Sequence, residues 1–155
     1  MKPEMQHQHH YVLFAIMMAL SFVAMFALMY AMVDTFGNVY PNLNQFYMAG
    51  LMVAPMMILE LLLMGSMYPS KTANSAIVLG GVALLALFWI GIRQQAMVGD
   101  RQFLKSMIPH HAGAILMCNK APIADEEIKT LCTSIVSSQQ SEIDQMKAIL
   151  KRLDR

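Results

Sequence analysis

The sequence predicts an all-α membrane protein, in which three transmembrane helices are followed by a soluble α-helical hairpin. Hydrophobic residues make up 57% of the 155 residues and charged residues only 14%, whereas a soluble domain carries about 25% charged residues. The apolar residues are gathered in three long runs that lie before Arg93. Beyond Arg93, charged residues return at helical intervals, which is typical of a soluble helical region.

The three apolar runs have the length of membrane-spanning helices. They cover residues 11–33, 46–68 and 75–92, together the transmembrane region 11–92, and Glu60 is the one acidic or basic residue within the runs. Runs of this length cross a hydrocarbon core of about 30 Å. Polar or short connections join them, which predicts an up-down-up antiparallel bundle. The first run is too long for a cleaved signal peptide and favours a retained anchor.

The N-terminal residues 1–10 form a polar arm that contains His7, His9 and His10. These histidines could collect metal ions, and a disordered polar tail explains the same residues equally well.

Residues 93–155 predict the helical hairpin. Asp100 is placed to cap the first helix, and Asp125 is placed to cap the second. Apolar and polar residues follow on the second helix in one stripe with three- and four-residue steps. The stripe consists of Ile128, Leu131, Cys132, Ile135, Gln139, Glu142, Met146 and Ile149.

Charge and methionine content narrow the class of partner. The net charge of +1 gives no reason to expect nucleic acid. Seventeen methionines are far more than an ordinary chain of this length carries. Methionine fills irregular cores, and its thioether is also a ligand suited to Cu(I). A membrane and a metal ion are therefore the predicted partners.

The stretch MIPHHAGAILMC, residues 107–118, gathers sulfur and imidazole on the first helix of the hairpin. Met107, His110, His111 and Met117 recur at helical steps, which predicts one shared face. Pro109 removes a hydrogen bond and should kink the helix directly before the two histidines. Any one of these residues is most often an ordinary core residue, but the combination favours a metal site.

Antiparallel packing predicts that Gln139, Glu142 and Met146 of the second helix lie opposite this face. Carboxylate and amide groups would then satisfy the buried imidazoles. Cys118 and Cys132 are predicted to be free thiols, because the hairpin register places Cys132 about two turns after the loop and Cys118 less than one turn before it. A disulfide in an oxidising compartment and a thiolate Cu(I) site are the alternatives.

Glu60 is predicted to lie near the middle of the second membrane span, where a carboxylate usually faces a bundle interior or a water-filled path. Methionines precede and follow it at steps of four, which forms one stripe on the second helix. Its members are Met48, Met52, Met56 and Met64. Ordinary packing against lipid explains these methionines about equally well.

The strings DRQFLKSMIPHHAGAILM, EIKTLC and SQQSEIDQM closely resemble the domain-of-unknown-function 305 family. The resemblance covers about residues 98–152 and implies a ferritin-like helical bundle with copper-binding periplasmic relatives. It points to Asp100, Met107, His110, His111, Met117, Glu142 and Met146. Soluble members have more helices than one hairpin. The chain is therefore expected to form a homodimer or higher homo-oligomer that completes a four-helix bundle, or to pack on its own membrane helices.

The predicted function is that of a membrane-anchored binding protein for copper(I) or silver(I), in tolerance or delivery. No nucleophile–base pair or phosphate-binding loop is found, so no enzyme activity is expected. The alternatives are a three-span methionine-rich copper permease and an oligomerisation scaffold without metal. The predicted metal ligands are Met107, His110, His111, Met117, Glu142 and Met146, followed with less weight by Asp100, Cys118, Cys132, Gln139, Glu60, His7, His9 and His10.

The predicted location is a bacterial inner membrane, with several passes and a periplasmic hairpin. The periplasmic side follows from the family resemblance. The balance of basic residues slightly favours a cytoplasmic hairpin instead.

Overall fold

The computed structural model describes residues 3–155, with side chains described from His9 onward. The described residues form five α-helices and three short 3₁₀ turns, and they contain no strand. The helices are α1 (Pro3–Leu28), α2 (Leu43–Leu63), α3 (Lys71–Arg93), α4 (Asp100–Lys120) and α5 (Glu126–Leu153). The 3₁₀ turns are Met29–Met32, Phe36–Asn38 and Gly65–Met67. The predicted all-α class is therefore confirmed.

Three helices are long and apolar enough to cross a membrane: His9–Met32, Leu43–Leu63 and Lys71–Arg93. Their number agrees with the three predicted spans, but their ends differ. The second helix ends at Leu63 rather than at residue 68, because Gly65 and Pro69 interrupt the pattern. The third begins four residues earlier than predicted, where Ser70 Oγ accepts a hydrogen bond from Ala73 N at 3.2 Å.

The chain divides into two compact units. The first unit comprises the residues up to Leu28 and Phe46–Ala96. Its core is formed by Phe14, Met18, Val53, Leu61 and Tyr68. Glycines let α2 and α3 approach closely. The Gly50 backbone lies against the ring of Phe88, and a Cβ at Gly81 would lie 3.0 Å from Ile58 Cγ1.

The second unit comprises Met29–Gln45, here called the connecting segment, and Met97–Arg155. Helices α4 and α5 enclose a core in which Ile108 and Ile143 are fully buried. The other core residues are Leu104, Ala112, Ile115 and Leu150. Val33 and Tyr40 of the connecting segment pack against the same core. The predicted soluble region 93–155 thus lies, from Met97 onward, in one compact unit with the connecting segment, which ends more than fifty residues before Met97.

Pro109 lies inside α4, and the helix continues through it without a restart. A proline has no N–H, so the carbonyl of Lys105 loses its usual helical donor. Asn42 of the connecting segment supplies a replacement, because its Nδ2 donates to Lys105 O at 3.3 Å. Asn42 is only 5% exposed, and its Oδ1 accepts from Ser106 Oγ at 3.2 Å. The connecting segment therefore satisfies the group that proline leaves open.

Of the two predicted N-terminal caps of the hairpin helices, one is found in the structure. Asp125 caps α5, with Oδ1 accepting from Glu127 N at 2.9 Å and from Ile128 N at 3.0 Å. At α4 the cap is Gly99, and Asp100 is the first helical residue. The prediction of Asp100 as the cap is wrong by one position, although its carboxylate still lies in the first turn, where negative charge is favourable.

Candidate functional site

Two direct contacts fix the register of α4 against α5. His111 Nε2 lies 2.7 Å from Glu142 Oε2, and Cys118 is bonded to Cys132. Met107 lies one turn before His111 on α4, and Met146 lies one turn after Glu142 on α5. Because the two helices are antiparallel, these methionines lie at the same level. Both methionines are half-buried. We call this line of residues the seam. The seam consists of Met107, His111 and Cys118 on α4 and of Cys132, Gln139, Glu142 and Met146 on α5.

His111 is held on both sides of its ring. It is 7% exposed, and its Nδ1 lies 2.9 Å from the carbonyl oxygen of Met107. A carbonyl only accepts, so Nδ1 carries a hydrogen. Nε2 and Glu142 Oε2 are then joined by a second hydrogen bond. His111 can therefore bind a metal only after Glu142 moves away.

His110 and Met117 lie on the exposed side of α4. Met117 is 53% exposed, and the ring centroid of His110 lies 6.1 Å from that of His111. Within the described part of the chain, no hydrogen bond holds the His110 ring. Met117 lies ten residues after Met107, which is about 15 Å along a helix axis. One ion therefore cannot contact both methionines, whereas His110 is less than one turn from Met107.

Gln139 has an unsatisfied polar atom at the seam. Its Oε1 is buried and has no hydrogen-bond partner among the described residues. The register places it at the level of Ala114, between the His111–Glu142 pair and the cysteines. A buried acceptor without a donor costs about 1–3 kcal/mol. The sequence predicted that Gln139 faces α4, but it contains no signal that this oxygen would stay unpaired.

Cys118 and Cys132 form a disulfide, with their Cα atoms 5.3 Å apart, so the prediction of free thiols is wrong. The connection begins and ends with the extended residues Ala121 and Asp125, and between them Ile123 N donates to Ala121 O at 2.8 Å in a tight turn. Extended residues advance about 3.3 Å each, whereas helical residues rise about 1.5 Å. The loop therefore lifts the start of α5 beyond the end of α4. As a result, the second turn of α5 returns to the level of Cys118.

The weaker predicted ligands do not lie at the seam. Asp100 is exposed and stands seven residues before Met107, about 10 Å along the helix. His9 is exposed and His10 half-buried in α1, which belongs to the first unit. The side chain of His7 lies outside the described residues.

Glu60 lies in the last turn of α2 rather than near the middle of the span, which corrects its predicted position. Its Oε1 accepts a hydrogen bond from Tyr68 OH at 3.1 Å. Burial raises the pKa of Tyr68, and the neighbouring carboxylate of Glu60 raises it further. Tyr68 therefore remains a neutral hydrogen-bond donor, and the pair is an internal contact of the first unit.

No cluster of three or more His, Cys, Asp or Glu side chains that could hold a metal ion occurs among the described residues. A hard or borderline ion such as zinc depends on clusters of this kind. The side chains that the seam does bring level are the thioethers of Met107 and Met146, which are soft ligands.

Comparisons with known proteins agree with the motif of the hairpin. A family model described as "Domain of unknown function (DUF305)" matches residues 92–150. "Uncharacterized protein L153" of Acanthamoeba polyphaga mimivirus is 36% identical to the chain over 140 residues, which are 87% of this chain and 89% of the viral protein. The chain belongs to the DUF305 family. No solved structure matches it.

The DUF305 match covers the whole of α4 and all but the end of α5, and therefore the complete seam. The connecting segment lies outside the match. The alignment with the viral protein is longer than the DUF305 region and extends into the apolar helices that precede it. The similarity to the viral relative is therefore not confined to the hairpin.

Proposed function

We propose that the chain is a membrane-anchored binding protein for the soft monovalent ions Cu(I) and Ag(I), in tolerance or delivery. Met107 and Met146 supply two thioethers, and His110 supplies an imidazole. His111 and Glu142 act as the positioning pair behind these ligands. The observation that carries the proposal is the register of the hairpin, in which Met107 and Met146 are level and half-buried beside the His111–Glu142 contact.

The donor set suits a soft ion and excludes most others. Thioethers are uncharged and polarizable, so they bind Cu(I) and bind zinc, magnesium or calcium poorly. Binding requires only the exchange of ligands around the ion, so the proposed function involves no catalytic turnover.

The disulfide supports an oxidising location for the hairpin. Disulfides persist in the periplasm, the secretory lumen and the cell exterior, and they are rare in the cytosol. We therefore propose a multi-pass membrane protein whose second unit faces such a compartment, which is the periplasm if the membrane is a bacterial inner membrane. Three crossings then leave the N-terminus on the opposite, cytosolic side.

The test is the Cu(I) affinity of the full-length protein in detergent, measured by competition with a chelator. Met107→Leu and Met146→Leu keep the side-chain volume and remove the sulfur. Each should lower the affinity at least tenfold, since even residues that only support a ligand are worth about 10- to 100-fold. Met117→Leu is the matched control and should bind as wild type does. If the first two variants are folded and bind as tightly as wild type, the proposal is wrong.

A copper permease is the second candidate, and one observation favours it. Met18 is buried in the core of the first unit, and Met25, Met56 and Met57 pack against that core. Vesicles that contain the purified protein should then take up Ag(I) faster than empty vesicles, and Met18→Leu should slow the uptake. Equal rates for protein-containing and empty vesicles would exclude transport and leave binding.

A further inference from the structure

We propose that Cys118 and Cys132 form a second, redox-switched site for a soft monovalent ion. In the oxidised chain the two residues are a covalent bridge between α4 and α5. When a dithiol reductant opens the bridge, the two sulfur atoms hold one Cu(I) or Ag(I) between the helices. This site is separate from the thioether site and does not depend on it, because Cys118 lies eleven residues after Met107, about 16 Å along the helix axis.

The backbone already presents the two sulfurs to each other. Their Cα atoms are 5.3 Å apart on facing helices, and both side chains are half-buried. A metal–thiolate bond is about 2.3 Å long, so two sulfurs on opposite sides of one ion are about 4.6 Å apart. Starting from a bridge of about 2.05 Å, the sulfurs must separate by about 2.5 Å, which rotation of the two side chains can supply.

An open groove beside the cysteines provides both room and access. The groove has a volume of about 480 Å³, and its lining includes both cysteines, Asn119, Ile123, Lys129 and Val136. Because the bridge lines a surface groove, a thiol of another molecule can approach it, as disulfide exchange requires. The same opening lets a metal ion enter once the thiols are free.

A dithiol is the one additional reactant that opening of the disulfide requires. One thiolate of the dithiol attacks a sulfur of the bridge and forms a mixed disulfide, and its second thiolate then displaces the remaining protein sulfur. The dithiol loses two electrons and becomes a disulfide, while the protein gains two electrons and two protons as two thiols. Binding of one monovalent ion releases both protons to solvent and leaves a site with one net negative charge. Lys129, at the rim of the groove, partly offsets that charge.

The number of metal ions that the hairpin binds would then depend on whether Cys118 and Cys132 are oxidised or reduced. The oxidised hairpin binds an ion only through thioether and imidazole groups, whereas the reduced hairpin adds two thiolates, which are the strongest protein ligands for Cu(I). The core around Ile108 and Ile143 lies closer to the middle of the hairpin than the cysteines do. It should keep the helices paired when the bridge is open.

The test counts the Cu(I) ions bound by the full-length protein in detergent, oxidised or reduced. The reduced sample is prepared with a phosphine that is then removed without oxygen. Reduced wild type should bind one more equivalent of Cu(I) than oxidised wild type and should show ultraviolet charge-transfer absorption from Cu(I)–thiolate bonds. Equal stoichiometry in the two redox states would overturn the proposal.

Two variants separate this site from the thioether site and from loss of structure. Cys118→Ser with Cys132→Ser should abolish both the additional equivalent and the absorption, while its far-ultraviolet circular dichroism stays helical. Met107→Leu should retain the additional equivalent in the reduced state, even though its thioether site is weakened. A reduced wild type that loses helix content and does not regain it with Cu(I) would also overturn the proposal.

Discussion

At the scale of single residues, the most consequential contact outside the seam is the one between Asn42 and the carbonyl of Lys105. Pro109 removes the helical donor for that carbonyl, and the Asn42 amide replaces it from a distant part of the sequence. The proline could be recognised in the sequence, and so could the unsatisfied carbonyl four residues before it. The identity of the donor could not be predicted, because it depends on how the connecting segment packs.

A double-mutant cycle tests this contact. Asn42→Ala should lower the unfolding free energy of the full-length protein by about 1–3 kcal/mol, because it leaves a buried acceptor without a donor. In a Pro109→Ala background the same substitution should cost less, since the N–H of residue 109 then donates to Lys105 O. The measurement is the thermal unfolding midpoint of all four proteins in one detergent. Equal losses in both backgrounds would show that Asn42 acts through its other contacts.

At the scale of helices, the tight contact between α2 and α3 depends on glycine. The Gly50 backbone meets the Phe88 ring directly, whereas the neighbourhood of Gly80 is open, with no atom within 4 Å of a Cβ built there. Alanine substitutions at these two glycines are therefore expected to have different effects on stability.

Gly50→Ala should lower the unfolding free energy by about 1–3 kcal/mol, because the added methyl group pushes the Phe88 ring away. Gly80→Ala should leave the stability equal to that of wild type or slightly higher, because alanine is the better helix former. Thermal unfolding in detergent, followed by circular dichroism, compares the two variants with wild type. If both lower the midpoint equally, the close packing of α2 on α3 is not what Gly50 provides.

Features that depend on residues close together in sequence could be predicted, whereas contacts between residues far apart in sequence could not. The three apolar runs and the Asp125 cap depend on residues that are neighbours in sequence, and both are found in the structure. The pairing of Cys118 with Cys132 was missed because a few extended loop residues shift the register of the whole hairpin. In the seam, antiparallel packing predicted that imidazole faces carboxylate and amide, but the predicted register, with Met107 opposite the neighbourhood of Gln139, is wrong, because His111 contacts Glu142.

At the scale of the whole molecule, the second unit is built from two stretches that are far apart in sequence. The connecting segment packs closely on α4, where a Cβ at Gly113 would lie 3.5 Å from the Met32 carbonyl oxygen. A fragment that begins after α3 would lack this cover and would expose the face around Ala112 and Gly113. Measurements on the hairpin therefore need the full chain.

The membrane orientation gives a prediction at this scale. A C-terminal alkaline phosphatase fusion should be active in bacteria, because the disulfide requires the oxidising side. A fusion after Ser70, between α2 and α3, is the matched control and should be inactive, since it follows one membrane crossing fewer. A cytoplasmic reporter at the same two sites should give the opposite pattern. An inactive C-terminal fusion with an active Ser70 fusion would place the hairpin in the cytosol.

The bond from Asn42 to Lys105 also has a consequence for how the protein is made. Its two ends are 63 residues apart, and closing so long a flexible loop carries a substantial entropy cost. Here the intervening chain is mostly α2 and α3, which in the proposed membrane topology return it to the side it left. Once these helices are inserted, little flexible chain remains to be ordered. The connecting segment is synthesised before α4, so in this topology Asn42 is already on the same side of the membrane when α4 is made.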